Sequence, residues 1–327
     1  DGIEIEVFYP NDGTSEIQHL QMATQKGENV QVYAVQGNFD DAQTGVKKVF
    51  ADADVAAELE KRGIRLSSAN SINWGRLVPQ IVYYFYAYFR LAEQGAVEWG
   101  KPVDFCVPTG NFGDILAGYY AKQMGLPVGR LVCASNKNNV LTDFLRTGTY
   151  DARRTFYKTT SPSMDILISS NLERLLYHVS GSSEKVAGWM QELSATGKYT
   201  VDAETLAKIQ QSFAAGYADD ADGAAEIKAR FDGDHYLCDT HTAVAFRVAE
   251  TRRTDAPMVV LSTASPFKFP RDVLTALGVE APASDFAAMA ALTAGTGAPA
   301  SLRELDKLEV RFKTVLQPAD IRTAALR

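Results

Sequence analysis

The chain opens on an alternating run, Ile3-Glu4-Ile5-Glu6-Val7, which continues apolar through Phe8 and Tyr9. That period-two pattern predicts a strand over 3–9. Residues 15–24 read as a helix with Ser15 as its N-cap, Val30 to Val35 as a second strand, and 40–51 as a second helix with Val46, Val49 and Phe50 on one face. A β-α-β-α rhythm of this kind belongs to a parallel sheet covered by helices. A long helix is expected over 71–94, apolar nearly all round (Leu77, Val78, Ile81, Val82, Tyr84, Phe85, Tyr88, Phe89) and therefore buried. Pro79 lies inside it without an N–H for the Gly75 carbonyl, so a kink is expected there. Val103 to Pro108 reads as a buried strand, 110–113 as a tight turn, 114–124 as a helix and 130–134 as the next strand. Residues 135–172 are polar and loop-rich, 184–230 helical, 241–251 a helix, and 258–261 a strand ending at Ser262-Thr263. The tail from Leu302 is charged and mixed.

Composition changes this picture little. The 327 residues are 46% hydrophobic, enough for one large domain or two unequal ones. A net charge of -7 without like-charge blocks argues against a nucleic-acid surface, yet leaves room for a local anion site. No apolar run is long enough to span a bilayer. Cys106, Cys133 and Cys238 lie too far apart for a CxxC pair or a zinc set, so reduced thiols in a cytoplasmic protein are the simple reading. Asp1-Gly2 leads at once into a strand pattern with no initiator Met, so the chain is expected to be cut from a longer one.

The chemistry concentrates after the strand at 103–107. Strand, glycine-rich turn and helix start make an anion site: the first helical amides have no internal partner, and the macrodipole adds partial positive charge. Gly110 and Gly113 let the backbone approach an oxyanion closely, and Asn111 can donate a side-chain amide. The spacing matches neither the dinucleotide nor the P-loop fingerprint. A turn that needs glycine for geometry alone stays open as the other reading.

Five segments carry a resemblance. They are Asn70-Ser71-Ile72-Asn73-Trp74-Gly75-Arg76; Pro108-Thr109-Gly110-Asn111-Phe112-Gly113-Asp114; Ser161-Pro162-Ser163-Met164-Asp165-Ile166 with Ser169 to Arg174; Asp239-Thr240-His241-Thr242-Ala243; and Ser262-Thr263-Ala264-Ser265-Pro266-Phe267-Lys268-Phe269. In this order they resemble the motifs of the longer bacterial and fungal threonine synthases, from residue 1 to about 280. The resemblance implies an α/β protein of the two-lobed pyridoxal-phosphate (PLP) fold of the tryptophan synthase β type, with parallel sheets flanked by helices. Residues 1–66 would be the remainder of the smaller lobe, and 67–327 the large PLP-phosphate-binding lobe with its carboxy-terminal helices. The implied reaction turns O-phospho-L-homoserine and water into L-threonine and phosphate by γ-elimination and β-addition of water, in a monomer or homodimer.

The resemblance also assigns residues. Gly110, Asn111, Phe112, Gly113 and Asp114 match the loop that holds the PLP phosphate. Thr263 matches the hydroxyl residue beside the pyridine nitrogen, with Ser262 the neighbouring candidate; the alternative is that either hydroxyl ends the strand or caps the next helix. Asn70, Asn73 and Arg76 recur every three residues, which puts them on one side of the expected helix. A buried Arg76 would need an anion: the substrate phosphate, or an internal carboxylate. Lys268 is a second candidate for that phosphate, with snorkelling over Phe267 and Phe269 as the alternative. His241 reads first as the opening of its helix, with Asp239 as N-cap, and second as a mechanistic residue. Thr240 and Ser265 stand where the family usually has proline and often has histidine.

Two family motifs are not in the sequence: Phe-Lys-Asp, which carries the Schiff-base lysine, and Ser-Gly-Asp-Thr-Gly. No catalytic residue is therefore assigned, and the polypeptide alone is expected to be inactive. The alternatives are a PLP-dependent dehydratase or phospho-lyase of the same fold, and a non-catalytic module that binds a phosphate ligand.

Overall fold

The computed structural model describes residues 2–11, 14–37, 39–69, 71–292 and 297–326. The chain divides into two compact units, one of residues 1–67, 267–274 and 280–327, the other of residues 68–266 and 275–279.

In the first unit, β1 (Ile5–Pro10), α1 (Glu16–Ala23), β2 (Val30–Val35) and α2 (Phe39–Ala51) follow the expected rhythm, and β1 and β2 pair in parallel from Ile5↔Val30 to Pro10↔Val35. Ser15 opens α1 as a capping box: its hydroxyl accepts the Gln18 amide, and the Gln18 side chain accepts the Ser15 amide, both at 3.2 Å. The inner face of α2 is Ala42, Val46 and Val49. Phe50, expected on that face, is 44% exposed, because one further residue turns the side chain about 100° off the i, i+4, i+7 stripe. A helix not anticipated in the sequence, α3 (Ala53–Lys61), follows, capped by Asp52.

The second unit carries α4 (Trp74–Leu77), α5 (Ile81–Glu93), β3 (Val103–Pro108), α6 (Gly113–Gln123), β4 (Val128–Ser135), α7 (Val140–Thr147) and β5 (Thr149–Asp151). These are followed by α8 (Leu172–Ser180), α9 (Ser183–Thr196), β6 (Lys198–Thr200), α10 (Ala203–Gln210), β7 (Phe213–Tyr217), α11 (Asp220–Asp234), α12 (Thr240–Glu250) and β8 (Met258–Val260). Its main sheet is parallel throughout, in the order β7-β4-β3-β8. Alternation sorts the strand side chains. Phe105, Val107, Leu131 and Cys133 enter the core that also holds Tyr84, Leu116 and Phe144, whereas Cys106, Val132 and Ala134 pack with Val244, Ala245 and Val248 of α12. Both faces are thus buried, which is why these strands read as continuous apolar runs.

Three expectations give way here. The single kinked helix over 71–94 is α4, a 3₁₀ turn at Val78–Gln80 and α5, with Pro79 accommodated in the tighter turn. It is not buried all round. Leu77, Tyr84 and Tyr88 are inside, but Val82 is 62% and Tyr86 65% exposed. Apolar residues do stand at surfaces, so an apolar circumference did not imply a buried one. The span read as helical over 184–230 contains β7, an edge strand whose short Ala-Gly run carries little strand signal.

The carboxy-terminal segment, expected with the large lobe, belongs to the first unit. Its strand β9 (Val315–Leu316) pairs in parallel with β2, giving the order β1-β2-β9, and Ile321 packs with Val35, Ala42 and Val49. Among the described residues, no helix is long and apolar enough to cross a membrane.

Candidate functional site: a cavity at the start of α6

Strand β3 ends at Pro108 and the chain turns through Thr109 to Phe112 into α6. The Thr109 amide donates to the Ala134 carbonyl at 2.8 Å, which ties the turn to β4. Phe112 stands in the left-handed region (φ 62°, ψ 8°), unusual for a bulky side chain. Its ring is buried at 1% exposure and lies 5.7 Å from the Phe213 ring, so packing holds a backbone conformation that would otherwise cost about 1 kcal/mol or more. The result is that α6 starts abruptly. No side chain caps it, so the amides of Gly113, Asp114 and Ile115 are left without intrahelical partners.

The residues that carry these amides line a cavity of about 610 Å³. Its wall includes Gly110 to Ile115, Ser71, Gln80, Tyr83, Ser163, Met164, His241 and the strand-end residues Leu261 to Ala264. Gly110 is constrained sterically: a Cβ there would stand 2.6 Å from the Ser163 carbonyl oxygen. Asn171 is fully buried and holds the other side of the turn, donating to the Asn111 carbonyl at 2.9 Å and the Ser71 carbonyl at 3.1 Å.

Asp114 is half-buried in the first turn of α6. Tyr84 donates its hydroxyl to the Asp114 carbonyl at 2.8 Å and to a carboxyl oxygen at 3.0 Å. Burial pushes the Asp114 carboxyl up to about 6, against the opposing pull of the Tyr84 hydrogen bond. The same burial, with Asp114 beside it, holds the Tyr84 phenol well above its usual value. Gly118 allows this approach, since a Cβ there would fall 2.5 Å from the Tyr84 ring.

The expected site residues divide accordingly. Gly110, Asn111, Phe112, Gly113, Asp114 and Thr263 all line this one cavity. Asn70 lies outside the described residues. Asn73 is not on a helix face; it caps α4, accepting the Gly75 amide at 2.8 Å and donating to the Ser68 carbonyl. Arg76 is exposed and donates to the Ala69 carbonyl at 2.8 Å, so the premise of a buried guanidinium in need of an anion does not hold. Lys268 belongs to the first unit, at the end of the 3₁₀ turn Pro266–Lys268. Gln80 escaped notice in the sequence. Its Oε1 is buried at the cavity wall without a hydrogen-bond partner, and it lies 3.9 Å from the Cβ position of Gly113. Ser163 was legible only as part of a motif, since nothing local announces that it backs onto Gly110.

Comparison with known proteins finds relatives along nearly the whole chain. The family model described as "Threonine synthase, C-terminal" matches residues 242–324. Threonine synthase of Pseudomonas aeruginosa is 42% identical over 286 residues, covering 86% of this chain and 59% of that protein. Threonine synthase-like 1 of Macaca fascicularis is 42% identical over 282 residues, covering 85% and 38%. The crystal structure of PLP-bound threonine synthase from Brucella melitensis superposes with a TM-score of 0.85 at 40% identity, covering all of this chain and 65% of that one. By fold, then, the chain is an α/β protein of the PLP-enzyme type, with parallel sheets flanked by helices. Over most of its length it is similar to threonine synthases, and its carboxy-terminal part matches their C-terminal family model. It spans between about two fifths and two thirds of the length of these relatives.

Proposed function

We propose that this chain is the phosphate-holding part of a PLP-dependent threonine synthase, which forms L-threonine and phosphate from O-phospho-L-homoserine and water. The observation that carries the reading is the uncapped start of α6 opening into a cavity shared by Gly110 to Asp114 and Thr263. The donor set fits a phosphate monoester: uncapped amides at the positive end of a helix, glycine where a side chain would collide, and an orphaned Gln80 amide oxygen beside Gly113. Gln80 would turn its amide to donate once an oxyanion is present.

In this reading the amides of Gly113, Asp114 and Ile115 hold the cofactor phosphate, and Asn111 adds a side-chain donor. Thr263 offers a neutral hydroxyl to the ring-nitrogen end, where a carboxylate would favour a protonated ring. When bound, PLP supplies an electron sink for charge developing on the substrate. Phe112 and Met164, both buried, contribute apolar atoms to the wall. The sequence has no Phe-Lys-Asp motif, so the 327 residues alone are read as able to bind but unable to turn over. The buried thiols suit a reducing, cytoplasmic setting: burial pushes Cys133 and Cys238 to about 12 and Cys106 higher still.

A second reading, a phospho-lyase that releases a 2-oxo acid, would use the same phosphate cradle at the start of α6. A chimera separates the two. The residues of this chain replace the matched stretch of the Pseudomonas enzyme, and products from O-phospho-L-homoserine are quantified. Threonine with equimolar phosphate supports the proposal; 2-oxobutyrate with phosphate supports the alternative; a folded chimera that yields neither product contradicts both.

A further inference from the structure

Asp239 and His241 form a buried polar pair that the proposed chemistry leaves unused, at 0% and 2% exposure. Asp239 caps α12, accepting the amides of His241 at 2.8 Å and Thr242 at 3.2 Å, and it also takes the Thr242 hydroxyl. Burial works to raise this carboxyl, but the hydrogen bonds from His241 and Thr242 outweigh it and hold Asp239 below its usual value. Its Oδ1 lies 3.2 Å from His241 Nδ1. On the far side of the ring, the Ser163 amide lies 3.2 Å from Nε2. A backbone amide can only donate, so Nε2 accepts, and the ring proton sits on Nδ1 facing Asp239.

Ser163 is the residue whose carbonyl oxygen stands against Gly110. Its loop is tied again to α12 by the Thr240 hydroxyl, which donates to the Thr160 carbonyl at 2.7 Å. One continuous path therefore runs from Asp239 through His241 and Ser163 to Gly110, and both His241 and Gly110 line the same cavity.

We propose that His241 is a positioning residue for the phosphate cradle: by accepting the Ser163 amide it fixes the Ser163 carbonyl against Gly110, and so sets the geometry of the anion loop. The inference rests on the reading of residues 110–114 as that cradle. It differs from a space-filling core histidine in a testable way. His241→Gln keeps an acceptor where Nε2 stands and loses the donor to Asp239. His241→Asn keeps the donor limb and loses the acceptor. His241→Ala loses both.

The test titrates the wild-type chain and the three variants with pyridoxine 5'-phosphate, which has no aldehyde to react with surface lysines, and with pyridoxine. Thermal unfolding without ligand is recorded in parallel. In His241→Ala and His241→Asn the affinity for the phosphate ester falls by about fivefold or more, the scale of one lost hydrogen bond, while pyridoxine affinity is unchanged. His241→Gln stays within about twofold of wild type, even where its thermal stability has dropped. If a folded His241→Ala or His241→Asn binds the ester as wild type does, or if His241→Gln loses as much as His241→Asn, the positioning role is wrong. If the wild type itself does not prefer the ester over pyridoxine, the cradle reading fails and takes this inference with it.

Discussion

The Ser163 carbonyl oxygen stands 2.6 Å from the place a Cβ would occupy on Gly110, closer than real side chains approach. A strand-to-helix turn and a loop some fifty residues downstream are therefore built against each other, with glycine as the only residue that fits. Gly110→Ala should push one of them aside. The expected outcome is a loss of about 1–3 kcal/mol in stability by chemical denaturation, with phosphate-ester affinity reduced at least tenfold.

Asp114 gives a pH signature. Its folded value of about 6 lies above the ordinary 3.8, so the unfolded chain ionises first as pH rises. Its contribution is fully present below about pH 4, falls between about 4 and 6, and is then lost. The full shift corresponds to about 3 kcal/mol, and cavity water at this half-buried group reduces that to about 2. Denaturation at a series of pH values should show wild type losing stability relative to Asp114→Asn through that window. Parallel curves would mean that Asp114 is not desolvated.

Asn171 bridges the Asn111 and Ser71 carbonyls from a fully buried position. Asn171→Leu keeps the volume and strands two acceptors, at about 1–3 kcal/mol each. A loss of about 2 kcal/mol or more is expected in thermal or chemical unfolding, together with weaker phosphate-ester binding, because Asn111 is in the cradle.

Arg76 should behave in the opposite way. It is exposed, and its guanidinium donates to a backbone oxygen, the Ala69 carbonyl, rather than to an anion. Arg76→Ala is expected to change stability by no more than about 0.5 kcal/mol in the same assay. A loss of several kcal/mol would restore a buried, anion-paired role.

The contrast between Asp114 and Arg76 shows what the sequence could carry. The turn on which the cradle reading rests was legible because its signal is local: a buried strand, glycines and a helix start lie within eleven residues, and residues 108–115 line the cavity. Caps were legible for the same reason, as Ser15 and Asp239 show. Arg76 failed because its burial was inferred from an apolar circumference, whereas the neighbouring helix leaves Val82 and Tyr86 in solvent. The place of residues 280–327 failed because it depends on a two-residue strand, Val315–Leu316, reaching back to β2. Ser163 and Gln80 are defined by long-range contacts that no spacing reports.

The most direct test of the phosphate cradle is calorimetric titration of pyridoxine 5'-phosphate and pyridoxine into the wild-type chain and Gly110→Ala. The wild type should prefer the phosphate ester by at least tenfold, and Gly110→Ala should erase that preference while leaving pyridoxine binding as it was. Equal affinity for the two ligands in the wild type, or a preference untouched by Gly110→Ala, would contradict it.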